Sequence, residues 1–388
     1  MRPRPPISPN QDSHVRSTDL PVPGQTGGNY QGGSGAMSQR VDSGAVVTRL
    51  IKLVLSVMPW LIIAGLLWAG LFIKPKSVGA MVAPPVMGRG DAFFGLAAPA
   101  SKQLWAVGNF GKIIHSIDDG ATWSGQGSCT ASHLQDIAAW DAKHLLAVGN
   151  GGMVCVTEDG GGLWSGNRLD FLPASTDKLL RVKAVAGGGA WAVGEMGALL
   201  YSGDYGKTWE RRRAVQDTAF NDVAFADEKN GWVVGEAGGI LRTTDGGRTW
   251  EAAPSGVRSS LMGVAFRDAR NGVAVGLEGV ILTTADAGRT WRRVAAGRRD
   301  RNGADIHLHF YDIAWDAQRN RWFAVGDQGV FATADGESSA WSGGPLAPQE
   351  LAWHTRIVAA DGQLYLAGGS LGRWTGEDAS WHRLGAGN

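Results

Sequence analysis

The apolar and polar residues are patterned differently in the two parts of the chain. Residues 53–73 form an uncharged, mostly apolar run of 21 residues with two basic residues on each flank. As a helix, this run spans about 30 Å, which is the thickness of a bilayer core. After residue 91 the pattern changes to short apolar alternations separated by glycine-flanked turns, with no helical period. The pattern predicts one membrane-spanning helix followed by an all-β domain.

Residues 1–48 are rich in Pro, Gly, Ser, Gln and Asn, and such a composition predicts disorder. The expected organisation is a disordered tail over 1–48, a transmembrane signal anchor with basic flanks over 49–76, a linker over 77–90 and the β domain over 91–388. An uncleaved anchor is favoured over a signal peptide, because the apolar region of a signal peptide is usually about 7–15 residues long.

The basic residues on the two flanks do not decide the orientation of the helix, because their numbers are equal. A short tail stays inside more simply than a domain of about 300 residues. We therefore expect a single-pass protein of the inner (cytoplasmic) membrane, with the tail in the cytoplasm and the β domain in the periplasm.

The β domain is built from an internal repeat of the form Ser/Thr-x-Asp-x-Gly-x-x-Trp. Five good copies lie at 116–123, 157–164, 202–209, 243–250 and 284–291, and weaker copies follow at 333–341 and 375–381. A second motif, of the Ala-Val-Gly-x-x-Gly type, precedes each copy and is typical of two strands joined by a tight turn. Seven four-stranded units spaced by 40 to 50 residues predict a seven-bladed β-propeller.

The eight-residue pattern is similar to the Asp-box, or BNR repeat. Its Asp is expected to accept turn N–H groups, its Gly to adopt an unusual backbone conformation and its Trp to pack on a neighbouring sheet. The residues to which we assign this structural role are Asp118, Trp123, Asp159, Trp164, Asp204, Trp209, Asp245, Trp250, Asp286 and Trp291.

The paired motifs, as in WVVGEAGGILRTTDGGRTW at 232–250, most resemble the photosystem II stability/assembly factor family. This resemblance covers the whole propeller. It implies a lumenal or periplasmic propeller that binds no cofactor and assists assembly of the photosystem II reaction centre or, in bacteria without that photosystem, of another membrane complex such as a transporter. The chain departs from the photosynthetic pattern in its long tail and its membrane span, and no lipid-attachment Cys precedes the propeller.

Charge and composition exclude several other functions. The formal net charge of +1 argues against general nucleic-acid binding, and two Cys exclude a four-Cys zinc site. Residues 1–90 carry nine basic and three acidic side chains, which leaves 28 basic and 33 acidic side chains for the propeller. Cys129 and Cys155 could pair in an oxidising compartment, but a free buried thiol is slightly favoured because Cys155 lies within a strand. His307 and His309 alternate along a strand without an evident third metal ligand.

The expected working surface is the face that carries the turns between the second and third strands and the links between blades. The longest links, 166–178 and 292–306, are expected on this face, and long loops on a rigid scaffold are typical binding sites. Arg suits such an interface because its planar guanidinium pairs with carboxylates and stacks on aromatic rings. The hypothesis is a membrane-protein partner bound by Arg211, Arg213, Arg298, Arg301, Glu195, Glu236, Glu278 and Asp327.

The sequence therefore predicts a non-enzymatic, membrane-anchored scaffold with no catalytic residue, metal, cofactor or small-molecule ligand. The alternative is a sialidase-like or other glycosidase propeller. The Arg-Ile-Pro signature of sialidases is absent, and Tyr201 and Tyr205 lie in or beside an Asp-box. A two-carboxylate glycosidase remains open, and it would require two carboxylates facing each other across a groove on the propeller axis.

Overall fold

A computed structural model describes residues 43–72, 86–172, 178–296, 308–338, 340–375 and 381–385. Our predictions for the tail over 1–42 and for most of the linker lie outside these residues. The chain divides into two units, 1–82 and 83–388, and each is described by itself.

The first unit contains one helix, α1 (Ser43–Phe72), with Pro59 inside it. The helix begins within the stretch that we predicted to be disordered. Its segment Val47–Phe72 has a mean hydropathy of 2.3, and none of it is buried in the protein. By length and composition, this segment is able to cross a membrane.

The second unit is a seven-bladed β-propeller, as the repeats predicted. Each blade is an antiparallel sheet whose four strands follow one another from the axis outward. The strands are, blade by blade, β1 (Phe93–Ala100), β2 (Gln103–Gly108), β3 (Ile113–Ser116), β4 (Ser124–Gly125); β5 (Leu134–Ala139), β6 (Leu145–Gly149), β7 (Met153–Thr157), β8 (Ser165–Arg168); β9 (Leu179–Ala184), β10 (Ala190–Gly194), β11 (Ala198–Ser202), β12 (Glu210–Arg211); β13 (Phe220–Phe225), β14 (Gly231–Gly235), β15 (Ile240–Thr243), β16 (Glu251–Ala252); β17 (Leu261–Phe266), β18 (Gly272–Gly276), β19 (Ile281–Thr284), β20 (Arg292–Val294); β21 (Phe310–Asp316), β22 (Arg321–Gly326), β23 (Val330–Asp335), β24 (Trp341–Pro345); β25 (His354–Ala360), β26 (Gln363–Gly368), β27 (Gly372–Trp374) and β28 (Trp381–Arg383).

The second strand of each blade is buried on both faces, which explains the nearly continuous apolar Ala-Val-Gly motif. In β10, all five residues are buried between the neighbouring blades. The glycine that ends this strand is required by a close approach, because a Cβ on Gly194 would lie 2.0 Å from the carbonyl oxygen of Lys178. The same approach recurs in the other blades, for example between Gly108 and Ala92.

Contacts between the first and last blades close the ring, since no strand is shared between them. Thr355 Oγ1 donates a hydrogen bond to the Phe94 carbonyl oxygen at 3.4 Å, and Tyr365 OH donates one to Asp119 at 3.3 Å. Lys102 N donates another to Asp361 at 3.1 Å. The ring is therefore closed by side-chain contacts and packing.

Cys129 and Cys155 form a disulfide bond with a Cα–Cα distance of 6.1 Å, so the preference for a free thiol was wrong. Cys155 is fully buried between blades one and two, as its place in a strand suggested. The link that leaves blade one carries Cys129 to the same interface, and a chain separation of 26 residues did not reveal this proximity.

Candidate functional site

Short hydrogen bonds to the aspartate organise each good Asp-box, and blade three has the full set of four bonds, one of them from the tryptophan. Asp204 accepts hydrogen bonds from Ser202 Oγ at 2.8 Å, from the Thr208 N–H at 2.9 Å and from Thr208 Oγ1 at 2.6 Å. Trp209 Nε1 donates to the Gly206 carbonyl oxygen at 2.9 Å, and Gly206 has a φ of 81°. The five Asp-box carboxylates all have pKa values below the ordinary value, and for Asp118 the main cause is hydrogen bonding from Thr122. These carboxylates are occupied by their own turns.

The opposite side of the propeller is called the link face here, and it consists of the second-to-third turns and the links between blades. Glu195, Glu236, Glu278 and Asp327 all lie in these turns, and each one contacts an adjacent link or inner strand. Glu195 pairs with Lys178 at 3.3 Å, and Glu236 accepts a hydrogen bond from the Ala219 N–H at 2.8 Å. Glu278 accepts from Ser259 Oγ at 2.8 Å, and Asp327 accepts from Tyr311 OH at 2.9 Å. These acidic residues are spread over blades three to six and fasten turns to the elements beside them.

The arginines of the link face have different roles. Arg211 is half-buried and donates to the Met196 carbonyl oxygen at 2.5 Å and to that of Arg213 at 2.8 Å, so it holds a link against a turn. Burial lowers its pKa. Arg213 lies half-buried on the link that follows β12. Arg298 and Arg301 lie outside the described residues, as does much of the link over 292–306.

The link face also carries an aromatic stripe that sequence reasoning missed. The stripe consists of Trp353, Phe94, His133 and Phe110, whose ring centroids follow one another at 5.8, 6.3 and 5.2 Å. Phe110 is 74% exposed and has a φ of 54°, a conformation that is unfavourable for a bulky residue. Blades two to six place Gly151, Met196, Ala237, Glu278 and Gln328 in this turn position. In blades two to six this turn position is occupied by Gly, Ala or a flexible side chain. The large aromatic residue of blade one was therefore the feature of the sequence that could have revealed the stripe.

Phe94 connects the stripe to a cavity of about 110 Å³ on the propeller axis. The lining residues come from the start of the innermost strands of all seven blades: Phe94, Gln135, Leu180, Arg181, Asn221, Met262, Tyr311 and Thr355. Apolar, amide and hydroxyl side chains surround the mouth of this cavity. The stripe and the cavity therefore meet at Phe94 on the link face.

A layer of buried charges lies in the next position of the same strands. Arg356 pairs with Asp136 at 2.9 Å and with Asp312 at 3.4 Å, and Arg181 lies 3.8 Å from Asp222. Each of these aspartates also accepts the backbone N–H of the following blade, at 3.0 Å from Val182, 2.9 Å from Val264 and 2.9 Å from Ile357. Burial disfavours the charge of Arg356, but the carboxylates of Asp136, Asp312 and Asp222 outweigh burial and raise its pKa. Burial raises the pKa of Asp222.

Residues 128–217 and 213–303 match the family model described as photosynthesis system II assembly factor YCF48. The first range contains blades two and three, and the second contains blades four and five. The propeller belongs to this family. No curated protein matches the sequence.

Solved structures show the same fold at low identity. The structure described as YCF48 bound to D1 peptide is 18% identical, covers 72% of this chain and 90% of its own, and has a TM-score of 0.59. YCF48 from Cyanidioschyzon merolae is 17% identical, covers 72% of this chain and 92% of its own, and has a TM-score of 0.57. The GH74 xyloglucanase from Xanthomonas campestris is 14% identical with a TM-score of 0.61, and the match covers 77% of this chain and 55% of that enzyme.

The axial carboxylates bear on the glycosidase alternative, which requires two carboxylates facing each other across a groove on the propeller axis. Asp136, Asp222 and Asp312 are at most 5% exposed, and each is occupied by an arginine and by backbone N–H groups. Within the described part of the axis, these carboxylates tie neighbouring blades together. Asp222 and Asp312 also line a cavity of about 310 Å³, and each of them lies beside an arginine there.

The described residues contain no group of three or more His, Cys, Asp and Glu side chains that could hold a metal ion. His309 Nδ1 accepts a hydrogen bond from the Glu278 N–H at 3.0 Å, which ties a turn to a link. His307 lies outside the described residues.

Proposed function

We propose that this family member is a non-enzymatic, membrane-anchored assembly factor that binds a client membrane protein on its link face. The helix α1 is the anchor, the propeller lies on the periplasmic side of the inner membrane and the tail is cytoplasmic. The client belongs to a membrane complex, either a photosystem or a complex such as a transporter.

Two observations support the location. The segment Val47–Phe72 matches a bilayer span in length and composition. The disulfide between Cys129 and Cys155 is typical of an oxidising compartment, since such bonds are rare in the cytosol.

The aromatic stripe is the observation that carries the binding role. Phe110, at one end of the stripe, is 74% exposed on the link face, and Leu351, in the link before Trp353, is 71% exposed. Aromatic residues are enriched in protein interfaces and contribute much of the binding energy there. The structure of the relative with a bound D1 peptide supports a client of the membrane-protein class.

Co-purification from detergent-solubilised membranes tests the proposal. Phe110→Ser combined with Leu351→Ser removes two exposed apolar side chains from the link face, and Arg213→Glu can be added to reverse a charge. We expect the recovered client to fall at least about tenfold, because hot-spot truncation costs 2 kcal/mol or more. The melting temperature should change little, since both apolar side chains are exposed.

The matched control is Ile117→Ser combined with Leu163→Ser, because these side chains are 68% exposed on the Asp-box face. This control should retain the client. If the control loses the client and the link-face variant keeps it, the proposed binding face is wrong.

A further inference from the structure

The turn between the first two strands of blade three differs from the corresponding turns of blades two, four, five and six. In blades two, four, five and six an aspartate caps this turn, for example Asp227, which accepts the N–H groups of Lys229 and Asn230 at 2.8 and 2.7 Å. Blade three instead has Val185 and Ala186 followed by three glycines, with Gly187 at a φ of 69°. Beside this turn, a groove lies between blades three and four on the Asp-box face, and Ala184, Val185 and Ala186 line it on the side of blade three.

The groove has a volume of about 450 Å³, which falls within the usual size range of ligand sites. Trp191 forms its buried floor, and the partly exposed rings of Tyr201 and Phe225 lie 5.0 and 5.3 Å from the Trp191 ring. Asp227 and Glu228 line the same groove and are exposed. The groove thus combines aromatic walls with two carboxylates.

The propeller fills comparable positions at two other blade interfaces with its own arginines. Between blades five and six, the Arg267 guanidinium lies 5.8 Å from the Trp315 ring centroid and donates to the Gly336 carbonyl oxygen. Between blades six and seven, the Arg319 guanidinium lies 5.9 Å from the Trp374 ring centroid and donates to the Gly362 carbonyl oxygen at 2.6 Å.

Blade three lacks the corresponding arginine. Val185 follows the first strand of blade three just as Arg267 follows that of blade five. Gly246, which lines the groove, has the same place in its Asp-box as Gly336, the acceptor for Arg267. The groove between blades three and four therefore has the surroundings of an arginine site, and its lining residues include no arginine.

We propose that this groove binds the guanidinium group of an arginine side chain supplied by a partner protein. The aromatic faces attract a cation. The Glu228 carboxylate matches the planar donor groups of a guanidinium, and the charge of the turn-capping Asp227 adds to the attraction. The chain itself places a guanidinium against the same wall, since that of Arg212 lies 4.9 Å from the Tyr201 ring centroid and is paired with Glu210. A protein side chain suits the groove better than free arginine, because the α-carboxylate of the free amino acid would be repelled by Asp227 and Glu228.

The site lies on the face opposite the proposed client surface, so the two proposals can fail independently. The probes are Nα-acetyl-arginine methylamide, its uncharged isostere Nα-acetyl-citrulline methylamide, Nα-acetyl-lysine methylamide and free arginine, each titrated into the full chain in detergent. Binding is followed by calorimetry and by ligand-observed NMR. We expect a dissociation constant on the order of 1 mM for the blocked arginine, about tenfold weaker binding for the citrulline compound, and intermediate values for the other two probes.

Variants of the groove test the assignment. Glu228→Gln should weaken binding of the blocked arginine about fivefold to tenfold, whereas Glu251→Gln, an exposed carboxylate on the same blade outside the groove, should leave it unchanged. Val185→Arg should abolish binding, because it supplies the arginine that Arg267 supplies elsewhere. Equal binding of the citrulline compound, or no saturable binding, overturns the site. Tighter binding of free arginine overturns its assignment to a protein side chain.

Discussion

The two faces of the propeller are built on different rules. On the Asp-box face, the same hydrogen bonds to an aspartate recur in five blades with nearly identical distances, as between Asp204 and Thr208 and between Asp286 and Thr290. On the link face, the same turn position carries a different kind of side chain in different blades: Phe110 in blade one, Met196 in blade three and Glu278 in blade five. The repeated hydrogen bonds of the Asp-boxes stabilise these five blades in the same way. A residue that differs from its counterparts in the other blades therefore marks a position with a role specific to that blade.

The departures are found on both faces and on the axis. The aromatic stripe departs from the turn pattern of the link face, and the glycine turn of blade three departs from the capped turns of the Asp-box face. On the axis, the charged layer occupies one position of the innermost strand, and the residue at this position differs between blades. In chain order it is Gly95, Asp136, Arg181, Asp222, Gly263, Asp312 and Arg356. If such departures have specific roles, substitutions at these positions should change stability or binding more than substitutions at comparable exposed positions.

The largest effect is expected from Arg356, which pairs with two buried aspartates of other blades. Arg356→Met leaves Asp136 and Asp312 buried without their main counter-charge, and breaking a buried ion pair costs about 3–5 kcal/mol. Urea denaturation should show a loss of this size in the free energy of unfolding. Arg321→Met, which removes an exposed arginine from the same pair of blades, should cost less than about 0.5 kcal/mol.

A second substitution sharpens this result. Adding Asp136→Asn to Arg356→Met removes an uncompensated charge and keeps an oxygen that can accept the Val182 N–H, so part of the lost stability should return. A loss for Arg356→Met no larger than that for Arg321→Met would show that the axial layer contributes no more than a surface charge.

The sequence predicted those parts of the molecule whose interactions are local. An Asp-box closes its hydrogen bonds within eight residues, and the buried second strands are visible as apolar motifs, so the blade number and the turn chemistry could be read from the repeat. Arg356 and Asp136 are 220 residues apart and meet only because the ring closes. The stripe likewise joins Trp353 to Phe94 across the first and last blades. Its residues are distant in sequence, and no local pattern connects them.

Blade seven departs from the repeat in another way, and a pH dependence should follow. Its Trp381 Nε1 donates to Glu350 at 2.6 Å, and Arg383 Nε donates to the same carboxylate at 2.8 Å. His354 is completely buried beside this group, and its Nε2 lies 3.2 Å from Ser370 Oγ. Burial lowers the pKa of His354 to about 4, with Arg383 acting in the same direction and Glu350 against it.

Because the folded-state pKa of His354 lies below its unfolded value near 6.5, stability should fall as the pH falls from about 6.5 towards 4. The expected loss between pH 7 and pH 5 is about 2 kcal/mol, since each pKa unit corresponds to 1.36 kcal/mol. Urea denaturation at the two pH values measures this loss. His354→Gln should remove most of the difference, whereas His382→Gln, at an exposed position, should leave it. An unchanged pH dependence in His354→Gln would assign it to other groups.

The smallest effect concerns a departure within an Asp-box. Leu163 is 68% exposed and stands where the other four good copies have Thr122, Thr208, Thr249 and Thr290. In those copies, the threonine Oγ1 donates to the aspartate at 2.6 Å, and blade two lacks this bond. Leu163→Thr restores the donor and removes an exposed apolar side chain, so the melting temperature should rise by about 2 °C. The reverse change, Thr290→Leu, should lower it by a similar amount, and calorimetry measures both.

If Leu163→Thr instead lowers the melting temperature, or weakens co-purification of the client without changing stability, Leu163 has a role of its own. The Asp-box face would then have to be counted as a binding surface in blade two.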